Sequence, residues 1–406
     1  MAPRGSRALV MAATAVLAAA ACANQAPSPA PLTSPSAPPA SPAVSATPSA
    51  ALVPIGSAGA IALLAANGTL SIVDSDGTEA QLSDTADGLF GFPTWSPDGS
   101  HIAAIRSDGT QTSVVVFKAA DAGAAIDPTV IFQRPNASPF YLYWAPDGET
   151  VSFLATEGEV LSLRVAPADG SAPVDGTGAG SVVRSGNPFY YDWLANDRLL
   201  AHIGAGSEAF LGAIGLDGRA AASTIDSPGD FRSAVVSADH GSIAFVRGAI
   251  GGPGEVVISA LDGSNEHAMS VFGQTALLFD PVGGRVASIG SIDPGDTAGF
   301  PLGPLRLIDA ASGEVRTLID GYVVSFWWSP DGSTIAALRV QPTIGSAAPS
   351  GASQQPEGMT EVRLLFIDVA SGRILSQPVV QPGERFVSAL LAYFDQYALS
   401  HRVWAP

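Results

Sequence analysis

The chain has 406 residues, of which 14% are charged, and a formal net charge of −18 with only 19 lysines and arginines. Such an acidic surface repels phosphate backbones, so the composition argues against nucleic acid as a partner. The 44 glycines and 32 prolines favour short strands joined by turns over long helices.

The N-terminus has the pattern of an export signal. Two arginines precede an apolar run, residues 8–21, and small residues lead directly to Cys22, the only cysteine of the chain. Charge, length and exit residues predict a signal peptide over residues 1–22 rather than a permanent membrane helix. Residues 17–22, Leu-Ala-Ala-Ala-Ala-Cys, resemble a bacterial lipobox, although alanine stands at position 19, where the pattern prefers leucine. The resemblance implies lipidation of Cys22. An ordinary signal peptide with an incidental cysteine is the alternative.

Residues 23–52 consist almost entirely of alanine, proline, serine and threonine. Such a segment buries too little apolar surface to fold, and its prolines favour an extended chain of about 3.1 Å per residue. The sequence therefore predicts a tether that holds a folded domain, residues 53–406, away from a membrane. The membrane would be contacted through the lipid on Cys22.

A repeated motif organises the folded part of the chain. Trp-Ser-Pro-Asp-Gly at residues 95–99 precedes the apolar run 102–105, and near-identical copies begin at Trp144 and Trp328. An aromatic strand end, a Pro-Asp-Gly turn and a second apolar strand predict a β-hairpin. Worn copies begin at Trp193, Val236, Phe279 and Tyr393.

A second landmark is a strand that ends at a tight glycine turn, as at Asp169-Gly170 and Ser371-Gly372, and it also occurs seven times. The two series are offset by one element. We therefore predict an all-β fold, a seven-bladed β-propeller of four-stranded antiparallel blades, whose last blade is shared by C-terminal strands and residues 58–83. Six or eight blades remain possible, because residues 61–64 could compete with residues 398–403 for one strand position.

The repeat resembles that of TolB-like propellers, a WD-like family of bacterial envelope proteins and peptidase propeller domains. The resemblance covers about residues 58–406, effectively the whole mature domain. It implies four-stranded propeller blades and a role in protein–protein contact, and it carries no catalytic residues.

Most of the conspicuous side chains have structural interpretations. The repeated tryptophans Trp95, Trp144, Trp193 and Trp328 are predicted to fill the space between neighbouring sheets. The turn aspartates Asp98, Asp147 and Asp331 are predicted to accept hydrogen bonds from the backbone N–H two residues on.

No calcium loop, no shared histidine register and no G-x-S-x-G motif occurs in the sequence. We therefore expect no metal, no cofactor and no catalysis.

One pattern suggests more than packing. Aromatic residues crowd the start of several innermost strands, and we predict a binding mouth lined by Tyr141, Tyr143, Tyr190, Asp192 and Trp327. Packing between blades is the alternative role for these residues.

The connections between second and third strands are longest late in the chain, at residues 248–254, 291–304 and 341–360. Long loops on a rigid scaffold commonly carry recognition.

These observations predict an exported, lipid-anchored protein of the bacterial cell envelope, a non-catalytic scaffold for a protein or peptide partner. The alternative is a solute-binding or hydrolytic propeller that uses the mouth of the central channel.

Overall fold

A computed structural model describes residues 60–64, 67–73, 78–124, 126–172, 180–187, 189–204, 207, 209–219, 225, 231–248, 253–291, 293, 301–342, 359–376 and 379–380. The predictions for Cys22, the tether 23–52 and the last repeat at Tyr393 lie outside these residues.

The described chain is built of short strands, because apolar residues follow one another with β-branched side chains between turn signals. The strands are β1 Ile61–Leu64, β2 Leu70–Val73, β3 Glu79–Gln81, β4 Leu89–Trp95, β5 His101–Ser107, β6 Thr112–Lys118, β7 Thr129–Gln133, β8 Ala137–Trp144, β9 Thr150–Glu157, β10 Val160–Pro167, β11 Ser181–Ser185, β12 Phe189–Ala195, β13 Arg198–Ile203, β14 Phe210–Gly215, β15 Phe231–Val236, β16 Ser242–Gly248, β17 Pro253–Ala260, β18 His267–Phe279, β19 Arg285–Ser291, β20 Gly303–Asp309, β21 Val315–Trp328, β22 Thr334–Pro342, β23 Met359–Asp368, β24 Ile374–Ser376 and β25 Val379–Val380. Two short 3-10 helices, Thr85–Asp87 and Ala119–Asp121, lie between strands.

All strand pairings are antiparallel meanders in chain order. An N-terminal sheet holds β1–β3, blade 1 holds β4–β7, blade 2 holds β8–β11, and blade 3 holds β12–β14. Blades 4, 5 and 6 follow in the continuous run β15–β24, in which β25 also pairs with β23. Two long strands join these blades: β18 pairs first with β17 and then with β19, and β21 pairs first with β20 and then with β22.

Consecutive sheets pack face to face, and each neighbouring pair shares buried apolar residues. Leu70 of the N-terminal sheet packs in one cluster with Ile102 of blade 1, and Leu200 of blade 3 packs in another with Phe245 of blade 4. A large cluster runs from blade 1 to blade 5, and a further one joins blades 5 and 6. Innermost strands of neighbouring blades also touch, as β4 does β8 and β12 does β15. This succession of radially packed meanders is a β-propeller of antiparallel blades.

The turn between third and fourth strands seals the outer part of each junction. Gly218 of blade 3 has φ +76° and lies against the carbonyl oxygen of Val183 in the last strand of blade 2, so a Cβ at this position would overlap that oxygen. Gly170 lies in the same way against Thr129, and the N–H of Gly123 donates to the carbonyl of Gln81 at 2.7 Å. Gly218 and Gly170 thus permit a positive φ and a close approach at once, whereas Gly123 has a positive φ in open space.

The antiparallel order gives the propeller two unlike faces. One face, here the loop face, carries the starts of the first strands and the connections from second to third strand. The other, here the turn face, carries the Trp-Ser-Pro-Asp-Gly turns and the turns from third to fourth strand. The two longest second-to-third connections lie where the sequence predicted them, between β19 and β20 and between β22 and β23. The predicted long connection between β16 and β17 is short, because both strands extend into it, and it is exceeded by the one between β13 and β14. Closure of the ring and the number of blades depend on residues 381–406, which lie outside the described residues, and both stay predictions.

Candidate binding face

The repeated tryptophans hold neighbouring blades together. Trp144 donates its indole N–H to the carbonyl of Thr94 in blade 1 at 3.0 Å, and Trp328 donates to the carbonyl of Leu278 in blade 5 at 3.2 Å. In both cases the acceptor is the residue just before the landmark of the preceding blade. All four repeated tryptophans are buried. The repeated tryptophans therefore pack between blades, and Trp144 and Trp328 each add one hydrogen bond across their junction.

Blade 3 makes the same junction through a relay. The indole N–H of Trp193 donates to the hydroxyl of Ser152 at 2.9 Å, and this hydroxyl donates to the carbonyl of Tyr143 at 3.1 Å. Ser152 and Trp193 are both buried. The acceptor again precedes the landmark of the preceding blade, so the serine extends the reach of the indole by one hydrogen bond.

Asp192 makes the hydrogen bond across the junction between blades 3 and 4, where Val236 occupies the position of the repeated tryptophan. Its carboxylate accepts the backbone N–H of Val236 in blade 4 and that of Trp193, both at 2.8 Å. A carboxylate that already accepts two backbone hydrogen bonds is an anchor between blades. The structure thus gives Asp192, predicted for the binding mouth, a junction role that the sequence did not suggest.

For Tyr141 and Tyr143 the structure favours the packing alternative. They are 6% and 2% exposed, and the ring of Tyr143 packs on that of Tyr191 at 4.9 Å. Burial raises the pKa of the Tyr143 phenol well above its usual value, and the nearby Tyr191 adds to the effect. The hydroxyl of Tyr191 donates to the carbonyl of Tyr141 at 2.7 Å. These side chains fill the junction between blades 2 and 3, and a role in recognition stays a prediction.

Tyr190 and Trp327 keep part of their surface exposed. Tyr190 stacks on His202 with ring centroids 5.6 Å apart and an interplanar angle of 7°. The indole N–H of Trp327 is buried and finds no acceptor in the part of the chain that the structure describes. Of the five residues predicted for the mouth, Tyr190, Trp327 and Asp192 keep part of their surface exposed, and the role in recognition stays a prediction.

The turn aspartates lie on the turn face, where their carboxylates accept hydrogen bonds within their own turns. Asp98 accepts from the N–H of Ser100 at 3.0 Å and from the hydroxyl of Ser96 at 2.6 Å, and these hydrogen bonds, the one from Ser96 first, lower its pKa to about 2. Asp331 accepts from the N–H of Ser333 at 3.0 Å, and Asp147 from that of Glu149 at 2.9 Å. These are the turn hydrogen bonds expected from the repeat.

An ion cluster on the loop face escaped sequence reasoning. Glu157, the last residue of β9, pairs with Arg134 at 3.1 Å and with the buried Arg164 of β10. Arg164 also donates to the carbonyl of Gly180 at 3.0 Å and lies over the ring of Phe132 at 5.6 Å. A glutamate at the end of an apolar second strand is the only local signal, because one partner comes from β10 and the other from the connection between β7 and β8. The cluster neutralises a buried guanidinium and leaves no carboxylate free for chemistry.

A second ion pair that the sequence did not reveal joins blades 5 and 6 on the turn face. The fully buried Asp280 accepts from Nε of Arg285 at 2.6 Å. Arg285 in turn donates to the carbonyl of Gly332 at 3.2 Å and lies over the ring of Trp328 at 5.5 Å. Arg285 therefore links the degenerate repeat at Phe279 in blade 5 to the intact repeat at Trp328 in blade 6.

The loop end of blade 4 holds an open groove of about 380 Å³. Gly248 and Gly254 stand opposite each other in the ladder and leave its floor without side chains. Arg247 and Glu255 form one wall, where they pair at 3.4 Å, and Phe272 lies nearby. The groove has the size of a small-molecule site but offers one charged pair that is already neutralised.

The described residues lack two other classes of feature. They hold no group of three or more histidine, cysteine, aspartate or glutamate side chains placed to bind a metal ion. Within the same residues, no helix is long and apolar enough to span a membrane.

Comparison with known proteins places the chain beside solved β-propellers. Oligogalacturonate lyase in complex with manganese is 12% identical, with a TM-score of 0.49 over 67% of this chain and 79% of that chain. TolB from Acinetobacter baumannii is 14% identical, with a TM-score of 0.44 over 80% of this chain, which spans 64% of that protein. The β-propeller domain of the Trilobed protease from Pyrococcus furiosus is 14% identical, with a TM-score of 0.47 over 77% of this chain and 88% of that domain.

TolB is thus among the solved propellers that this chain resembles. No family model matches the chain, and no curated protein matches it by sequence.

Proposed function

We propose that this protein is a non-catalytic propeller scaffold that binds a protein or peptide partner through its loop face. One observation carries the proposal. The two longest second-to-third connections lie on the loop face of the consecutive blades 5 and 6, whereas the carboxylates of Asp192 and Glu157 near the inner strands are already held in hydrogen bonds and ion pairs. Loops on a rigid scaffold are well suited to recognition, and carboxylates already held by backbone N–H groups or arginines are poorly suited to acid–base chemistry.

We further propose that the protein is exported and held in the bacterial cell envelope by a lipid on Cys22, with residues 23–52 as a tether. The charged, apolar and small-residue order of the leader supports this part. In a Cys22→Ser variant the protein should leave the membrane fraction and change its size. A variant that stayed with the membrane at unchanged size would contradict the anchor without touching the scaffold proposal.

The partner should be sought in cells. Full-length protein is cross-linked in its native host, purified from membranes and analysed by mass spectrometry for attached proteins. The matched variant replaces residues 343–358, between the ends of β22 and β23, by a two-residue Asn-Gly turn. A control variant shortens residues 173–179, which join β10 to β11 on the turn face.

The proposal predicts a reproducible partner that is lost with the first variant and kept with the control. Absence of any partner in the unaltered protein would overturn it.

A second candidate function follows from the groove on blade 4. Its volume of about 380 Å³ and its mixed lining would suit a small polar solute. Thermal-shift screens of the full chain against sugars, amino acids and metal ions test this candidate. A specific rise in unfolding temperature that disappears in a Gly254→Leu variant would favour the solute-binding function over the scaffold.

A further inference from the structure

The groove on blade 4 contains a carboxylate that can accept further hydrogen bonds. Glu255 and Arg247 form a neutral pair on its wall, but within the described residues the carboxylate receives only one long hydrogen bond, of 3.4 Å, from Nη1 of Arg247. The same guanidinium donates two shorter bonds, of 3.0 and 2.8 Å, to Glu266, which lies outside the groove. The bonds from Arg247 also lower the pKa of Glu266. Two glutamates thus share one arginine, and the group carries one net negative charge.

The strand register places two further side chains beside this carboxylate. Ser270 is directly opposite Glu255 in the ladder of β17 and β18, and Phe272 follows two residues later in β18. Residues two apart on a strand share a face, so all three side chains lie on the same side of the sheet. The shift in register of β18 against β19 begins only after Phe272 and leaves this alternation intact. All three residues line the groove.

These side chains are accessible and have unused binding capacity. The side chain of Glu255 is 47% exposed, and Ser270 is exposed as well. Within the described residues the hydroxyl of Ser270 makes no hydrogen bond, and no cation lies over the ring of Phe272, since Arg247 lies over Phe245 instead. A carboxylate, a hydroxyl and an aromatic ring on one surface are suited to an ammonium or guanidinium group, through charge-assisted hydrogen bonds and cation–π contact.

The segments that connect strands at the loop face around the groove are acidic in sequence. They are residues 204–209, 226–230, 249–252 and 292–302 of blades 3, 4 and 5. Their acidic residues are Glu208, Asp226, Asp230, Asp293 and Asp296, and these segments contain no lysine, arginine or histidine. This sector therefore attracts a cationic group and repels an anionic one.

We propose that the groove on blade 4 receives a lysine or arginine side chain of the partner protein, whose cationic group is bound by Glu255, Ser270 and the ring of Phe272. The inference rests on the proposed scaffold function and names the chemistry of its partner. A side chain is favoured over a free solute because the groove is open, whereas a small-molecule pocket encloses most of its ligand. A side chain that the rest of a partner already positions needs contact on one side only.

The test uses the full chain and short peptides that carry one arginine or one lysine in a Gly/Ser frame. Matched peptides carry citrulline or N-acetyl-lysine, which preserve the length of the side chain and remove its charge. Saturation-transfer NMR measures weak affinities for the unaltered protein and for the variants E255Q, F272L and R247Q. The control variant E159Q removes an exposed glutamate from the same face, in the connection between β9 and β10. Thermal unfolding of each variant shows that it is folded.

We expect the arginine peptide to bind at least tenfold more tightly than the citrulline peptide, and E255Q to lose about tenfold in affinity. F272L should lose about threefold, as for a cation–π contact at an exposed site. R247Q should bind about threefold more tightly, because Glu255 loses the cation that competes with the peptide. E159Q should bind within twofold of the unaltered protein.

Several results would overturn the proposal. Equal affinity for the arginine and citrulline peptides would do so, as would equal losses in E255Q and E159Q. Weaker binding by a folded R247Q protein would show that Arg247, rather than Glu255, carries the contact. Putrescine or methylguanidine bound with a micromolar dissociation constant, and far more tightly than the peptides, would overturn it in favour of a free amine.

Cross-linking in the cell separates this inference from the scaffold function. A partner that is lost in E255Q and kept in E159Q would support both. A partner that E255Q retains would refute this inference alone, whereas the absence of any partner in the unaltered protein would refute the scaffold function.

Discussion

The relay through Ser152 offers a direct test of how the blades are joined. Ser152 is fully buried, accepts the indole N–H of Trp193 at 2.9 Å and donates to the carbonyl of Tyr143 at 3.1 Å. Replacing it by alanine removes both bonds and leaves the indole N–H in the core without its acceptor. The change deletes one oxygen atom and barely alters volume, so the polar effect dominates.

The expected cost follows from that orphaned donor. A buried polar group left without its partner costs about 1–3 kcal/mol, so we expect Ser152→Ala to lower the free energy of unfolding by about 2 kcal/mol. Ser162→Ala is the matched control in the neighbouring strand. Ser162 is 3% exposed, and its hydroxyl makes only one long hydrogen bond, of 3.4 Å, to the carbonyl of Ala155. Loss of that bond should cost about 0.5 kcal/mol.

Urea unfolding of the full chain measures both costs as shifts in midpoint at constant slope. A double-mutant cycle with Trp193→Phe isolates the relay, because phenylalanine has no N–H to orphan. In that background Ser152→Ala should cost about 1 kcal/mol less than in the unaltered protein. Equal costs for Ser152→Ala and Ser162→Ala, or strict additivity in the cycle, would refute the idea that the relay bonds the two blades.

Three other perturbations test separate features. Asp280→Asn breaks a buried ion pair and should lower the free energy of unfolding by about 1.5–3 kcal/mol. Asp197→Asn, which breaks an exposed ion pair, should lower it by less than about 0.5 kcal/mol. Urea midpoints measure both changes. The carboxylate of Asp98 has a folded-state pKa lowered from 3.8 to about 2, so the stability it contributes is present above pH 3.8 and is lost as the pH falls through 2. Asp98→Asn should therefore flatten the dependence of the urea midpoint on pH in that window. An unchanged slope would contradict the assignment. At Gly218 a Cβ would overlap a carbonyl of the preceding blade, whereas at Gly123 φ is also positive but the space is open. Gly218→Ala should therefore lower the free energy of unfolding by at least about 1 kcal/mol more than Gly123→Ala. Equal urea midpoints for the two variants would show that the close contact is not formed.

Local signals were enough to predict the hairpins and their order. Trp, Pro, Asp and Gly at residues 95–99 specify a strand end and a turn within five residues, and the apolar run after them specifies the next strand. Repetition of this local pattern, together with the glycine turns, predicted the antiparallel meanders and two of the three long connections. The third, at residues 248–254, is largely absorbed into β16 and β17. Both inferences depend on neighbours in sequence, which one chain displays directly.

Which way the side chains of the predicted mouth point depends on the strand register, and the sequence alone does not reveal that register. The ladder between β8 and β9 shifts between Phe140 and Tyr143, and Tyr141 within this bulge has φ +55°. An extra residue in one strand breaks the two-residue alternation, so counting alternate positions did not reveal that Tyr141 and Tyr143 are buried between blades. The anchoring role of Asp192 was hidden for a related reason, since its acceptor bond reaches Val236 in the next blade, 44 residues away.

The most direct test of the account is photo-cross-linking by face in living cells. A benzophenone amino acid replaces Tyr322 on the loop face in one variant and Asp217 on the turn face in another. Both residues are exposed. The account predicts that irradiation attaches a discrete partner at position 322 and none at position 217. A partner attached from position 217 and not from position 322 would contradict binding through the loop face.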